Sequence, residues 1–453
     1  MNLRSKLLLD YYLGGFLQAV LRIPTILLGK LLRRDHGLSR CRQIAVLKLL
    51  GGGSLVIAYP ALLALRRLPG IERLTLVTSS AIAPFGALLG VFDEIVVIRD
   101  DRGPLALVAD SLRALHKLFR HDAVIDLEIH SRLTTVFALL TAARNRVGFF
   151  TSMSFWRRHL NTHLLFCNVT NGIGDFYDQL AALFGTAPVE AEECEREFRS
   201  QLEQGGVAVN RVRLATAHRG SGSSREQTAV AAQRMVRFAP AAMHSPRGTT
   251  GVREPAMRFG AVPGGVGVCD REFRFRLAIA PACSGLSRER MLRTEEWVEV
   301  VARRFARIDS ATLELHLLGG PADRAEIDRM KTLLEVRFRD RASIDNHAGR
   351  TSLRESVRIL AAMDEVLSID SALLHFSRLL GRPTVSFWGP TDPRTLLRPD
   401  ARGLDEVHYV KIPCSPCVHI SHQPPCKGQN ICMRLAVDPA APLPRNQPWV
   451  LNG

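Results

Sequence analysis

The sequence predicts an α/β protein with two Rossmann-like, doubly wound domains that face a cleft. Short apolar runs of strand length alternate with helix-length amphipathic segments over residues 44–149, and the alternation starts again at residue 276. Because strand–helix–strand units produce parallel sheets, each series predicts one parallel sheet. With 453 residues, the chain is long enough to bury both cores.

The first series contains five strand-length runs: IAVLKLL, TLVTS, EIVVI, AVIDLEI and RVGF. Helices are expected between them at residues 55–68, near 81, at 105–119 and at 134–143. The second series contains the runs RLAIAP, LELHLLGG, VLSI and TVSFW. Its helices are expected around Trp297 and at residues 325–334, 351–362 and 372–380. The N-terminal domain therefore spans residues 42–204 and the C-terminal domain residues 276–412.

Residues 1–41 precede the first domain and are mostly apolar up to residue 32. Asp10, Arg22, Pro24 and Lys30 interrupt the run, so that no uninterrupted stretch reaches the roughly 20 residues of a membrane-spanning helix. We expect an amphipathic helix that lies on a membrane surface. A helix packed on the protein's own core is the alternative.

The segment 205–275 separates the two domains and is rich in Gly, Ser and Arg. Residues 205–276 contain 12 arginines, four acidic residues and no lysine. The segment lacks apolar periodicity and is longer than a linker between two sheets requires. We expect an irregular insertion or linker, and the sequence indicates no function for it.

The chain is strongly basic, with 60 Lys and Arg against 44 Asp and Glu and a formal net charge of +16. This charge favours anionic partners. No nucleic-acid motif is present and only 6% of the residues are aromatic, so we expect no nucleic-acid partner. Nine cysteines are too few for a disulfide scaffold, and no signal peptide is evident, so a cytoplasmic location is expected.

Residues 365–393 predict a nucleotide-binding site. Asp370 and Ser371 follow a buried strand and begin a helix, and the turn Gly389-Pro390-Thr391 follows the next strand. In open α/β sheets, ligands bind at the carboxyl ends of the strands, where a helix N-terminus offers free N–H groups to a phosphate. An ordinary capped helix without a ligand is the alternative reading.

The same stretch resembles the C-terminal signature of glycosyltransferase family 9, the heptosyltransferase-like enzymes. The matching residues are Asp370, Ser371, His375, Pro383, Thr384, Phe387, Gly389, Pro390 and Thr391. Ala372 stands where the family usually has glycine. The resemblance implies a GT-B architecture and inverting sugar transfer from a nucleotide-sugar donor, without a metal cofactor for transfer. ADP-heptose is the first donor to test, and the implied acceptor is an anionic glycolipid such as a lipopolysaccharide core or a related surface glycan. The resemblance also implies a peripheral location at the inner face of the bacterial inner membrane.

The resemblance implies a donor site on the C-terminal domain. Its members are Ser284, Arg290, Asp323, Asp370, Ser371, His375, Gly389 and Thr391. The family has a loop of small residues, followed by a basic residue that contacts the donor phosphates. Ser284 matches the loop, and Arg290 matches the basic residue. The family's next loop leads to an acidic residue near the nucleoside, and Asp323 or Glu326 is expected to match it. Solvated arginines and ordinary helix-start acids are the alternatives.

The acceptor side is expected at the first Gly-rich turn, which includes Gly52 and Gly53. The family usually has Gly-Asp where this chain has Gly53-Ser54, and that aspartate is the implied general base. Ser54 cannot deprotonate an acceptor unaided at neutral pH. Glu128, near the end of the fourth strand, is the substitute candidate, and a carboxylate that caps the next helix is the alternative. A catalytically degenerate GT-B protein that binds nucleotide without transfer is the second hypothesis.

The tail, residues 413–453, contains Cys414, Cys417, Cys426 and Cys432 in C-x2-C-x8-C-x5-C spacing. The C-x2-C pair is typical of metal ligands, although the second pair departs from the spacing of zinc ribbons. We expect a structural zinc or a metal-free cluster here, with no part in transfer.

Overall fold

The computed structural model describes residues 5, 8–168, 170–204, 274–283, 285, 287–308, 312–418, 424–426 and 428–441. Ser284 and nearly all of the predicted insertion 205–275 lie outside the described residues. The two predicted domains fall into one compact unit.

The N-terminal half is a six-stranded parallel sheet with the order β3-β2-β1-β4-β5-β6. Its strands are β1 (Gln43–Lys48), β2 (Arg73–Ser79), β3 (Glu94–Ile98), β4 (Ala123–Asp126), β5 (Asn145–Phe150) and β6 (His163–Phe166). The strand order reverses between β1 and β4, so this sheet has the switch point at which such folds bind ligands.

The C-terminal half repeats the arrangement, with the order β12-β11-β10-β7-β8-β9. Its strands are β7 (Arg274–Ala280), β8 (Thr312–Leu317), β9 (Ala342–Asn346), β10 (Glu365–Ile369), β11 (Thr384–Trp388) and β12 (Asp405–Tyr409). All pairs are parallel, and β10 and β7 flank the switch point. The prediction of two Rossmann-like domains is therefore confirmed.

Most of the α-helices connect successive strands, whereas α1 precedes β1 and α14 follows β12. In the first half they are α1 (Asp10–Leu32), α2 (Gly52–Ile57), α3 (Tyr59–Arg67), α4 (Ala83–Leu89), α5 (Pro104–Leu118), α6 (Arg132–Leu140), α7 (Ile173–Leu183) and α8 (Ala191–Glu203). In the second half they are α9 (Thr294–Phe305), α10 (Arg324–Phe338), α11 (Leu353–Ala361), α12 (Ala372–Leu379), α13 (Pro393–Leu396) and α14 (Ile431–Val437).

Short 3-10 turns also occur along the chain. They span Ser152–Arg157, Arg288–Arg290, Pro321–Asp323 and Arg339–Arg341.

Two sequence-based expectations differ from the structure. The single helix expected at residues 55–68 is two helices, because Pro60 lacks the N–H that a continuous helix needs and instead lies in the first turn of α3. The strand expected through AVIDLEI ends at Asp126, so that Glu128 lies in the loop beyond β4.

The N-terminal helix α1 is continuous over 23 residues, which is longer than the interrupted apolar run suggested. Pro24 lies inside it without ending it. By length and composition it is the one helix among the described residues that could cross a membrane; as a helix near the N-terminus it is weak evidence for a span. None of its hydrophobic window is buried, so packing on the protein's core is not observed. Its first turn is attached to α6, where Asp10 accepts hydrogen bonds from Ser131 and from the Leu133 amide at 2.6 and 2.9 Å.

One hydrophobic core continues from the first half into the second. Phe376 of α12 is fully buried and stacks on Phe85 of α4 and Phe198 of α8, with ring centroids 6.0 and 5.6 Å apart. Ion pairs reinforce this junction, since Arg398 binds both oxygens of Asp178 at 2.7 and 2.8 Å. The two halves are therefore held together mainly by apolar burial around Phe376.

We predict that Phe376→Ala lowers the free energy of unfolding by about 3–5 kcal/mol, because it leaves a cavity between the halves. Chemical denaturation of the purified protein measures this change. Phe16→Ala is the matched control, since Phe16 is 65% exposed and its loss is expected to change the stability by less than about 0.5 kcal/mol. Equal effects of the two substitutions would contradict a shared core.

Candidate active site

The first part of the site lies where β10 ends. Ser371 adopts an extended conformation, and its hydroxyl caps α12 by accepting the Leu374 amide at 3.4 Å. Asp370 and Ser371 are both buried. The eight-residue helix α12 thus begins at the carboxyl edge of the sheet, where a phosphate would meet its free N–H groups.

Asp370 is held in its ionised form by two neighbours. Its carboxylate accepts a hydrogen bond from Arg290 Nη1 at 3.0 Å, and His375 Nε2 lies 3.8 Å from its other oxygen. Burial opposes the charge, but His375 and Arg290 outweigh it and lower the pKa of Asp370 to about 2. Arg290 is itself largely buried, with 15% of its side chain exposed, so its charge is directed into the site.

The second part of the site follows β11. A Cβ atom at Gly389 would lie 2.7 Å from Cys432 Sγ, so only glycine fits between the turn and the cysteine-rich tail. The Gly389 carbonyl accepts a hydrogen bond from Ser415 of the same tail. The buried Thr391 hydroxyl has no hydrogen-bond partner among the described residues. It is a polar group that a ligand could satisfy.

Asp323 lies in the loop after β8 and holds that loop together. Its carboxylate accepts the Gly320 amide at 3.0 Å, and Arg288 lies 3.9 Å from it. These contacts give Asp323 a structural role in its loop. Its expected contact with a nucleoside stays a prediction.

The Gly-rich loop of the first half lies against the start of α12. A Cβ atom at Gly53 would lie 3.0 Å from His375 Cδ2 and 3.5 Å from the Ala372 backbone. A Cβ atom at Gly52 would lie 2.6 Å from the Phe85 ring. The absence of side chains at these two positions therefore allows the predicted acceptor loop to approach the predicted donor site closely.

Ser54 and Glu128 lie behind this loop. The Ser54 hydroxyl donates to the Gly51 carbonyl at 2.7 Å. One oxygen of Glu128 accepts the Leu49 and Leu50 amides at 2.8 Å each, and the other lies 3.4 Å from Lys48 Nζ. Glu128 therefore anchors the Gly-rich loop; the cap of α6 is Ser131 instead.

Two further charged groups, Lys48 and Asp126, are buried beneath the loop. Lys48 is buried; burial opposes its charge, but Glu128, Tyr177 and Asp126 together raise its pKa. Asp126 is fully buried, and burial raises its pKa to about 6 even though Arg157 lies 3.3 Å away. The sequence indicates a buried, paired Lys48, because this lysine is the single charged residue at the end of an otherwise apolar strand. A charged side chain that is buried needs a partner of opposite charge.

The four predicted metal ligands of the tail are near enough to influence one another's thiol pKa, but among the described residues no three of their sulfurs lie within 4.8 Å of one another. Cys417, Cys426 and Cys432 are buried and Cys414 is partly exposed, and all four are unpaired thiols. Burial, with added effects of the neighbouring thiols, raises the pKa of Cys417 to about 11 and of Cys432 to about 12. Four thiols are the type of donor that zinc takes, but a zinc ion would require these sulfurs to move closer together, and the zinc site stays a prediction.

Residues 274–427 match the model of glycosyltransferase family 9 (heptosyltransferase). These 154 residues, about a third of the chain, are similar to family 9 glycosyltransferases. The match contains β7 to β12, both turns of the site and the first three cysteines of the tail. The resemblance to this family is confirmed over these residues, and a glycosyltransferase activity of the whole protein stays a prediction.

A short alignment and two solved structures agree with this assignment. Lipopolysaccharide heptosyltransferase 1 of Salmonella typhimurium is 46% identical over 44 residues, which are 10% of this chain and only 14% of that relative. The E. coli ADP-heptose lipopolysaccharide heptosyltransferase II structure has a TM-score of 0.52 at 14% identity, covering 87% of this chain and 98% of that chain. The E. coli heptosyltransferase WaaC with ADP-2-deoxy-2-fluoro heptose has a TM-score of 0.51 at 13% identity, covering 81% and 92%.

At these identities the structural matches show the fold alone, and they confirm the predicted GT-B architecture around the family 9 domain. The predicted donor residues Arg290, Asp370, Ser371 and His375 lie together at its sheet edge. Ser284 lies outside the described residues. The roles of the individual site residues stay predictions.

We predict a pH-dependent contribution of Asp370 to stability. Because its pKa in the folded state lies below that of an unfolded aspartate, the ionised carboxylate stabilises the protein above about pH 4, and this is lost as the pH falls toward about 2. Asp370→Asn should therefore lower the free energy of unfolding by roughly 2 kcal/mol at pH 7 and by about half as much at pH 3. Chemical denaturation at both pH values measures the gap between wild type and variant.

The exposed Asp340 provides the control, since Asp340→Asn should leave the stability unchanged at either pH. A gap of the same size at pH 7 and pH 3 for Asp370→Asn would show that the carboxylate is not held in its ionised form by Arg290 and His375.

Proposed function

We propose that the protein is an inverting glycosyltransferase that moves a heptose-like sugar from an ADP-linked donor to a lipopolysaccharide core or a related surface glycan. The observation that supports this proposal most is that two features lie at the same place. The family 9 match covers the sheet edge at which the Gly-rich loop of the other half comes within contact distance of α12. Donor and acceptor would meet at this contact.

The donor diphosphate is proposed to bind at the N-terminus of α12. Free N–H groups of the first helical turn would bind its oxygens, and Arg290 would contribute its guanidinium. Arg290 pairs with Asp370 in the free protein, so it is already oriented when the anionic donor arrives. The presence of an ADP-linked heptose analogue in the WaaC structure supports adenine nucleotide as the first donor to test.

In the proposed transfer, an acceptor hydroxyl attacks the anomeric carbon of the sugar as the bond from that carbon to the diphosphate oxygen breaks. The nucleoside diphosphate leaves with the bonding electrons, and the dipole of α12 together with Arg290 stabilises its charge. The proton of the acceptor passes to a general base. Attack from the face opposite to the leaving group inverts the anomeric centre. No metal cofactor is proposed for this step.

Glu128 is the proposed base, and Ser54 occupies the position where the family usually has its aspartate. Glu128 already accepts two backbone amides and lies beside Lys48, so accepting a proton would weaken its attraction to Lys48. A catalytic base and a loop anchor differ in their kinetic consequences. Removal of a base lowers kcat and changes its pH profile, whereas removal of an anchor chiefly loosens the loop.

We predict that Glu128→Gln lowers kcat by about 10²–10⁴-fold with little change in the donor KM, because general base catalysis contributes about that much. Measurement of kcat and KM as a function of pH distinguishes a catalytic base from a loop anchor. In the variant, the limb of the pH profile that reports the base should disappear. Near-normal kcat with a lowered melting temperature would assign Glu128 to anchoring alone, and the base would have to be another group.

The degenerate-scaffold alternative is not favoured by the family match. It would appear as ADP binding at the α12 site without any sugar transfer. Ser54 and Ala372 depart from the family pattern. Because of these two departures, ADP binding without sugar transfer is one of the outcomes that the assays must distinguish.

We predict that ADP raises the melting temperature of the protein more than UDP, GDP or CMP, since a ligand that binds only the native state stabilises it. Arg290→Ala should weaken ADP binding by roughly 10–100-fold, the loss expected for one charge-assisted hydrogen bond. Arg303→Ala is the control, because Arg303 lies half-exposed on α9 and pairs with Glu299. Equal stabilisation by all nucleotides, or full affinity in Arg290→Ala, would argue against the proposed donor site.

A peripheral position at the cytoplasmic face of the inner membrane is also proposed. The apolar side of α1 is exposed, with Phe16, Ile23 and Leu27 between 62% and 66% accessible. Lys30, Arg33 and Arg34 follow at its end and would attract anionic headgroups. Flotation with anionic vesicles tests this: wild type should float, and Phe16→Glu/Ile23→Glu should stay at the bottom of the gradient.

A structural zinc at Cys414, Cys417, Cys426 and Cys432 is proposed to fix the tail against Gly389. Zinc would supply no step of the transfer and would hold the turn at the end of β11. Metal analysis of the purified protein tests this site: Cys417→Ser/Cys432→Ser should lose about one equivalent of zinc, and an unchanged zinc content would exclude it.

A further inference from the structure

A second cluster of metal-binding side chains lies at the outer edge of the C-terminal sheet, apart from the cysteines. His316 is on β8, and Asp345 is its register partner on the edge strand β9. His347 follows β9 directly. Leu313, Leu315 and Leu317 of β8 point into the core. The alternation of the strand therefore places His316, together with Glu314, on the opposite face of the sheet.

The two imidazoles are arranged as a pair. His316 Nδ1 lies 3.0 Å from His347 Nε2, and the two rings are nearly parallel, with an interplanar angle of 12°. Ligand atoms of His316, Asp345 and His347 all lie within 4.8 Å of one another. Two nitrogens bound to one tetrahedral zinc at about 2.0–2.1 Å would be separated by roughly 3.3 Å, so only a small displacement would admit an ion.

The other ring nitrogen of His316 is hydrogen-bonded to a carboxylate, as is usual for histidines that bind a metal. His316 Nε2 lies 3.0 Å from a carboxylate oxygen of Glu314. Histidines that bind a metal usually donate their second N–H to a carboxylate or a carbonyl, which fixes the tautomer and orients the ring. Glu314 would leave Nδ1 of His316 unprotonated and directed at the cluster.

We infer that His316, Asp345 and His347 form a site for a divalent transition-metal ion of the zinc type. Two imidazoles and one carboxylate suit zinc and its neighbours, whereas magnesium and calcium prefer oxygen ligands alone. Asp345 is exposed, so water completes the coordination shell from the solvent side. Glu314 is a positioning residue in this site.

An ion here would fix the loop that follows β8. The His347 amide donates to the Leu317 carbonyl at 2.9 Å, and the Gly349 amide donates to the Gly319 carbonyl at 3.0 Å. The metal would therefore join the ends of β8 and β9 where the loop containing Asp323 begins. The inference does not depend on the proposed transfer reaction, and its test needs no activity measurement.

Without a metal, the same geometry is a hydrogen-bonded chain in which His347 donates to His316 and His316 donates to Glu314. The two arrangements predict different results when an ion is added. A hydrogen-bonded pair alone gives no saturable binding with a defined number of ions per chain, whereas the metal site does.

The experiment is a Co²⁺ titration of the full-length protein after removal of bound metal, followed by absorbance. A histidine and carboxylate site gives weak ligand-field bands, whereas the cysteine cluster of the tail adds a strong thiolate-to-metal charge-transfer band. The titration is repeated in the Cys417→Ser/Cys432→Ser background, in which the thiolate band is removed. We expect about one equivalent of Co²⁺, displaceable by Zn²⁺, to remain in that background.

His316→Ala and His347→Ala should weaken this binding by more than roughly 100-fold, and Glu314→Gln by about 10–100-fold. His116→Ala is the matched control, because His116 is an exposed histidine on α5, and it should bind Co²⁺ as the background does. His347→Gln can retain a hydrogen bond to His316 and serves as the second variant if the alanine variants melt at a lower temperature. Unchanged Co²⁺ binding in His316→Ala and in His347→Gln, or no binding in the Cys417→Ser/Cys432→Ser background, would overturn the inference.

Discussion

The structure depends most on the burial of α12 between the C-terminal sheet and the helices of the N-terminal half. Phe376, on its inner face, closes a core that neither half completes alone, and the N-terminus of the same helix carries Ser371 and Asp370. The interaction that joins the halves therefore also sets the position of the site. Gly53 approaches this helix closely because it has no side chain, so the two loops that would bind donor and acceptor are brought to one place.

Buried ion pairs lie at the strand ends around this helix. Lys48 with Glu128, Arg157 with Asp126 and Arg290 with Asp370 each occur where a parallel strand stops. Replacing a whole buried pair by apolar residues often costs little stability, because desolvation offsets much of the attraction, whereas removing one partner is destabilising because it leaves a buried charge unpaired. Their value is in orientation, since each one holds a loop or a charged side chain in place. The same logic applies to the His316 and His347 pair, which Glu314 holds in a single orientation.

The sequence allowed the prediction of those parts of the fold that have long apolar runs or strong helix starts. The buried strands β1, β2, β4, β7, β10 and β11, and the turn at Asp370, were all predicted. The edge strands β6, β9 and β12 were missed, because segments such as ASIDN and DEVHY are half-polar and gain their strand form from a single neighbour. Local sequence also could not show that Gly53 meets His375, since 322 residues separate them and only the packing of both halves brings them together. The anchoring contacts of Glu128 with the Leu49 and Leu50 amides depend on the same tertiary packing.

The central claim is that the contact between the Gly-rich loop and α12 is a sugar-transfer site. Its most direct test is the release of ADP from ADP-heptose by the purified protein, followed by mass spectrometry of a lipopolysaccharide-core acceptor in the same reaction. The account predicts that ADP release and a mass increase of one heptose occur together, and that both are lost in Arg290→Ala. Tight ADP binding with neither ADP release nor a modified acceptor, under conditions where a known heptosyltransferase is active, would contradict it.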